Sequence, residues 1–120
     1  MPLAAEQSGL QNGMRILLET MQRLSLVSDL AGIQEIVRTS ARRLAGSDGA
    51  TFVLRDGDRC HYADEDAIAP LWKGSRFPLE ACISGWVMTQ DLAVVIPDVY
   101  ADARVPHEVY RPTFVQSLAM

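Results

Sequence analysis

The chain has 120 residues, enough for one domain with one core, and its 48% apolar content is ordinary for a water-soluble fold. Its formal net charge of −4 excludes the basic footprint that non-specific nucleic-acid binding needs. No stretch approaches the roughly 18 apolar residues of a membrane span, and the start, Met1-Pro2-Leu3-Ala4-Ala5-Glu6, lacks the basic and apolar blocks of a signal peptide. The expectation is a cytoplasmic domain, with no nucleic-acid partner and no membrane segment within this chain. Cys60 and Cys82 form no CxxC or CxxH pattern, so reduced thiols are the default.

Residues 1–9 read as a disordered lead-in, and 10–28 as a helix. Leu10, Met14, Leu17, Met21 and Leu24 follow one another at spacings of 4, 3, 4 and 3. That is the seam of a short coiled coil, with Leu18, Leu26 and Val27 widening it. Two readings of the seam stand: a homodimer interface, or packing of this helix on its own domain. Ser28 or Asp29 can cap a second helix, whose apolar stripe is Leu30, Ile33, Ile36, Val37, Ala41 and Leu44. Arg42 and Arg43 suit its negative C-terminal end, and Gly46 can take the left-handed conformation that stops it.

Residues 50–55 and 58–63 read as a hairpin closed by Asp56-Gly57. Thr51, Val53, Cys60 and Tyr62 then share one sheet face. Phe52, Leu54, Arg59 and His61 share the other. Asp64-Glu65-Asp66 reads as a solvated acidic loop, and 66–73 as a short helix or irregular lid. A strand entry at Arg76-Phe77-Pro78-Leu79 leads into a helix, Ile83–Gln90, with Ser84 as the expected N-cap. An apolar strand, Ala93–Ile96, is stopped by Pro97-Asp98. A short helix lies around Pro106 to Arg111, and a last strand starts at Val115.

Little here suggests catalysis, and no enzyme activity is expected. His61 and His107 have no Ser, Cys or Asp partner at motif spacing. Cys60 and His61 are strand neighbours and point to opposite faces, so they do not make a nucleophile–base pair. No glycine-rich phosphate loop is present. Three acids in a row without converging His or further acids do not make a metal site.

Three segments in order, ISGWVMTQ (83–90), VVIPDV (94–99) and FVQSLAM (114–120), resemble the second half of a GAF domain, a sensor module of signalling proteins. With the first half, the resemblance covers residues 26 to 120. It implies an α/β (α+β) fold, an antiparallel sheet flanked by helices, preceded by the long N-terminal helix. It also implies that 29–120 lacks the family's last strand and closing helix, so that the chain is part of a longer sensor or a truncated one. The family's pocket lies between a sheet face and the segments that here are 64–74, 82–91 and 98–114. The residues assigned to ligand binding on that basis are Phe52, His61, Trp72, Trp86, Tyr100, His107, Tyr110 and Phe114, with Val105 beside them. An aromatic lining suits a planar or small organic molecule; taken singly, each aromatic also fits the core.

The resemblance implies a non-catalytic sensor, homodimeric, relaying a small-molecule signal to an output domain such as a two-component histidine kinase. Neither the cofactor nor the ligand is specified. Bilin-carrying members use a Cys-His pair shortly before the strand that starts here at Val115. That place holds Val105-Pro106, so covalent bilin attachment there is not expected. The pattern of cyclic-nucleotide-binding members is absent from 98–114. A haem or tetrapyrrole sensor would need His61 or His107 as an axial ligand. A ligand-free dimerisation module is the other alternative. A free methionine sulfoxide reductase shares the fold, but two cysteines, one on a strand, do not supply its cysteine set.

Overall fold

Residues 28 to 32 show how local chemistry starts an element here. Asp29 takes an extended conformation, and its carboxylate accepts from the Gly32 N–H at 2.8 Å, which caps the second helix. Asp29, not Ser28, is the cap. The computed structural model describes residues 2–120, with side chains from Ala4 onward. The chain divides into two compact units, one of residues 1–52 and 64–68, the other of 53–63 and 69–120.

The first unit is built on two helices, α1 (Pro2–Leu26) and α2 (Leu30–Ala45). The expected disorder over 1–9 is corrected, since α1 begins at Pro2; Met1 lies outside the described residues. Proline suits the first helical position, where its missing N–H costs nothing, and Ala4, Ala5, Glu6 and Gln7 are strong helix formers. The helix also ends at Leu26, short of residue 28. α1 packs on α2 with a face that the seam pattern did not mark. Ile16 is buried there, and α2 contributes buried Ile36 and Ser40. Gly13 lies on this face, within 3.5 Å of Leu44 once a Cβ is placed on it. α2 stops at Gly46, in the left-handed conformation at φ 60°, as its sequence predicts.

The seam itself stays open. Leu10 (67%), Met14 (56%), Leu17 (49%) and Met21 (66%) are exposed, while Leu24 is half-buried. Among the described residues, no helix is long and apolar enough to cross a membrane.

The strands β1 (Gly49–Asp56) and β2 (Arg59–Ala67) run through both units, and β3 (Arg76–Pro78) pairs antiparallel with β2, with Cys60 opposite Phe77 and His61 opposite Arg76. The β1–β2 turn is Gly57-Asp58, one residue later than expected. Gly57 has φ 60° and Asp58 is not in the positive-φ region. A type II′ turn wants this pattern, with glycine at the first central position. The shift moves the pairing by two residues, so the two faces keep their expected residues.

The expected acidic loop is a correction as well. Asp64, Glu65 and Asp66 lie in β2. Arg38 and Arg42, one turn apart on α2, meet the two aspartates: Arg38 Nε donates to Asp64 at 2.8 Å and Arg42 NH1 to Asp66 at 2.9 Å. Strand alternation puts Asp64 and Asp66 on one side, which matches the helical spacing of the arginines. Residues 68–75 are irregular, with no helix.

The second unit also contains a 3-10 turn (Leu79–Ala81), α3 (Ile83–Gln90), β4 (Val95–Ile96), a second 3-10 turn (Val99–Ala101), α4 (His107–Tyr110) and β5 (Leu118–Ala119). β4 and β5 pair antiparallel as a separate two-stranded sheet, Val95 opposite Ala119 and Ile96 opposite Leu118. Ile83, Val94, Ile96, Val99, Val105 and Tyr110 form one buried cluster. Cys60, Tyr62 and Cys82 form a second, packed against Val53, Phe77, Leu79 and Met88. Trp72 packs against both.

Gly32 carries the first testable consequence. A Cβ there would overlap Val27 Cγ2 and come within 2.8 Å of the capping Asp29 oxygen. Alanine improves helix propensity by about 1 kcal/mol, but lost capping and overpacking each cost about 1–2 kcal/mol. Gly32→Ala is therefore expected to lower the urea midpoint. A raised midpoint contradicts the cap geometry.

Candidate functional site

α3 is the centre of the second unit's chemistry. Its N-cap is Cys82, extended at φ −148°, whose sulfur accepts from the Gly85 N–H at 3.4 Å. Ser84, expected as the cap, is buried instead: its Oγ lies 2.8 Å from the Tyr62 hydroxyl and 3.6 Å from Met120 Sδ. The cap moved because the 3-10 turn delivers the chain to Cys82, two residues earlier. Asp91 ends the helix in the left-handed conformation, with its N–H on Val87 O at 2.8 Å. Asp tolerates this conformation better than most residues.

One flank of α3 borders a cleft of about 480 Å³, lined by Leu79, Glu80, Cys82, Trp86, Thr89, Gln90, Ala103 and Arg104. The Arg104 guanidinium sits over the Trp86 ring at 4.6 Å. Asp102 holds it there through two bonds, Nε to Oδ1 at 3.0 Å and NH2 to Oδ2 at 2.6 Å. The side-chain bond from Arg104, and then the Arg104 backbone N–H, pull the Asp102 carboxyl down to about 2. This clamp stays ionised across the physiological range and comes apart only as pH falls through that value. The cleft thus offers a cation-covered indole face and, around it, the Thr89 hydroxyl, the Gln90 amide and the Glu80 carboxyl group.

The residues assigned to a ligand from sequence do not form one lining. Trp72 and Tyr110 are in edge contact at 4.8 Å, and Tyr62 joins them, 5.6 Å from Trp72 and 5.5 Å from Phe77. These rings fill the core. Trp72 Nε1 also donates to Val109 O at 3.4 Å. Tyr100 and His107 form a second ring pair at 5.7 Å, with His107 Nε2 3.0 Å from Asp102 O. Val105 is buried, and Phe114 is half-buried before β5. His61 is half-buried on β2, and Phe52 lies in the other unit. Trp86 alone among the eight borders the cleft. Sequence reasoning missed Arg104, Asp102 and Cys82. The Asp-x-Arg spacing of 102 and 104 was a local signal for the clamp; no local signal placed Cys82 beside Cys60.

The sequence matches no family model and no curated protein. By structure, the chain is similar to the chromophore-binding domain of Stigmatella aurantiaca phytochrome P1, with a TM-score of 0.58 and 18% identity over 91% of this chain. It spans 33% of that chain's length. The fold is GAF-like.

Within this GAF-like chain, burial also fixes the state of two phenols. Desolvation raises Tyr62 well above its usual value of 10.0, the Ser84 hydrogen bond opposing it, and raises Tyr110 to about 12. The unfolded chain releases these protons near pH 10 while the folded chain keeps them. Stability is therefore full below that pH and falls as pH rises above it. Tyrosinate absorbance from Tyr62 and Tyr110 is expected to appear together with loss of near-UV circular dichroism on alkaline titration. Ionisation of these two phenols in a still-folded chain contradicts their placement.

Proposed function

We propose that this chain is a non-catalytic sensory domain that binds a small organic molecule beside α3 and relays the event to an output domain such as a histidine kinase. The observation that carries the reading is the GAF-like fold, with its likeness to a domain that binds a chromophore. In this chain the cleft bordered by Trp86 and Arg104 suits a planar molecule, whose ring would stack on the indole or replace the guanidinium over it. The exposed seam of α1 supports a homodimer, and a paired helix of this kind is a common carrier of small shifts between domains.

A second reading is favoured by one observation. Trp72, Tyr110, Tyr62 and Phe77 pack on one another, so several of the aromatics assigned to a ligand are already satisfied as core. On this reading the chain is a ligand-free dimerisation module. Native mass spectrometry with an absorbance scan of freshly purified protein separates the two. A sensory domain is expected to carry a non-covalent small molecule that leaves on denaturation. A bare polypeptide mass with only aromatic absorbance supports the dimerisation module.

A further inference from the structure

The two cysteines of the chain are 22 residues apart, yet their sulfurs lie 3.2 Å from each other. Both are buried free thiols, Cys60 on β2 and Cys82 at the head of α3. They differ in access. Cys60 is fully enclosed, whereas Cys82 is 8% exposed and borders the cleft that opens beside Trp86. We propose that Cys60 and Cys82 form a reversible intrachain disulfide when a hydroperoxide enters this cleft, making the pair an oxidative modification site.

The geometry gives each sulfur its part. Cys82 meets the oxidant, because it faces the cleft. Its sulfur attacks one peroxide oxygen, the O–O bond breaks and a sulfenic acid forms, and the distal oxygen takes the Cys82 proton and leaves as water (or as an alcohol from an organic hydroperoxide). Cys60 then attacks the Cys82 sulfur, the S–S bond forms, and the sulfenic oxygen leaves as a second water carrying the Cys60 proton. Overall, two thiols and one hydrogen peroxide give one disulfide and two waters; the thiols lose two electrons and the peroxide gains them. Burial raises the Cys60 thiol to about 12, with its bond to Cys82 adding to the rise. This keeps Cys60 protonated, so it does not meet the peroxide first, and its attack on Cys82 requires that proton to pass to the departing sulfenic oxygen. Closing the gap from 3.2 Å to a bond of about 2.05 Å asks for a shift on the order of 1 Å, shared by two side chains. The link ties β2 to the first turn of α3, so it acts on the segment that presents Trp86 to the cleft.

Because the chain has only two cysteines, the test is unambiguous. The full chain is treated with hydrogen peroxide, its free thiols are counted, and peptides are mapped before and after adding a dithiol reductant. The expected result is loss of both thiols together, a monomer mass lower by two hydrogens, one cross-linked peptide pair joining Cys60 to Cys82, and full recovery on reduction. In Cys60→Ala, a sulfenic-acid trap is expected to label Cys82. In Cys82→Ser, where serine keeps a capping oxygen, Cys60 is expected to stay reduced. The proposal is overturned if both thiols of the folded parent survive peroxide that labels Cys82 in Cys60→Ala. It is equally overturned if Cys82 proceeds to sulfinic acid with Cys60 free, or if the disulfide joins two chains.

Discussion

Gly85→Ala is expected to destabilise the chain strongly, more than alanine at any other of its glycines. A Cβ at this position would overlap the carbonyl group and Cα of Leu79. The obstacle is backbone, not the end of a flexible side chain, so the 3-10 turn and α3 would have to separate. That would expose Ile83, at 1%, and loosen the Cys60–Tyr62–Cys82 cluster. Overpacking of a close-packed interior costs typically about 1–3 kcal/mol, and a backbone obstacle belongs at the upper end. For a domain of this size, about 3 kcal/mol lowers Tm by on the order of 10 °C. The measurement is a thermal melt of parent and variant by near-UV circular dichroism. An unchanged Tm means that α3 does not lie this close to the turn.

The second large effect belongs to the α1 seam. Replacing Met14 and Met21 together by Glu is expected to turn a dimer into a monomer. Leu10, Met14, Leu17 and Met21 are all exposed in the single chain, so two copies present eight large side chains. Fully burying each contributes about 1.5–3 kcal/mol. About half to two-thirds of each is still uncovered in the single chain, so the sum is comparable with the roughly 4–15 kcal/mol of lost freedom that association costs. Glu is a good helix former, so α1 should persist in the variant, and Ile16 on the other face stays against α2. Sedimentation velocity reads the change. If parent and variant sediment alike with the same helical content, the seam does not hold two copies together.

What was legible in the sequence was what short-range chemistry decides. The cap at Asp29 and the stop at Gly46 are set by residues a few positions away; the span Ile83–Gln90 was legible too, though its cap is Cys82 and not Ser84. The hairpin was found because Gly57 marks any tight turn, but its register was off because glycine suits the first central position here and not the second. Asp64 and Asp66 were misread because their partners, Arg38 and Arg42, are more than twenty residues away and only the folded chain aligns them. The seam of α1 showed itself through periodicity. Ile16 did not, since its face is built from Gly13 and Thr20, which carry no apolar signal. Of the residues assigned to a ligand, Trp86 borders the cleft, while packing divides the rest: Trp72 and Tyr110 pack with the core. Arg104 joined Trp86 through a contact between separate segments, which no spacing rule anticipates; Cys82 heads the same helix four residues before Trp86.

A small molecule held against α3 is expected to slow amide exchange where it touches the chain. Hydrogen exchange read by mass spectrometry compares the chain as purified with the same chain stripped of any co-purified molecule. Slower exchange is expected in the loaded protein across 82–90 and 98–104, the segments that carry Cys82, Trp86, Asp102 and Arg104. Identical exchange in both preparations, or protection confined to α1 and α2, rules out binding there.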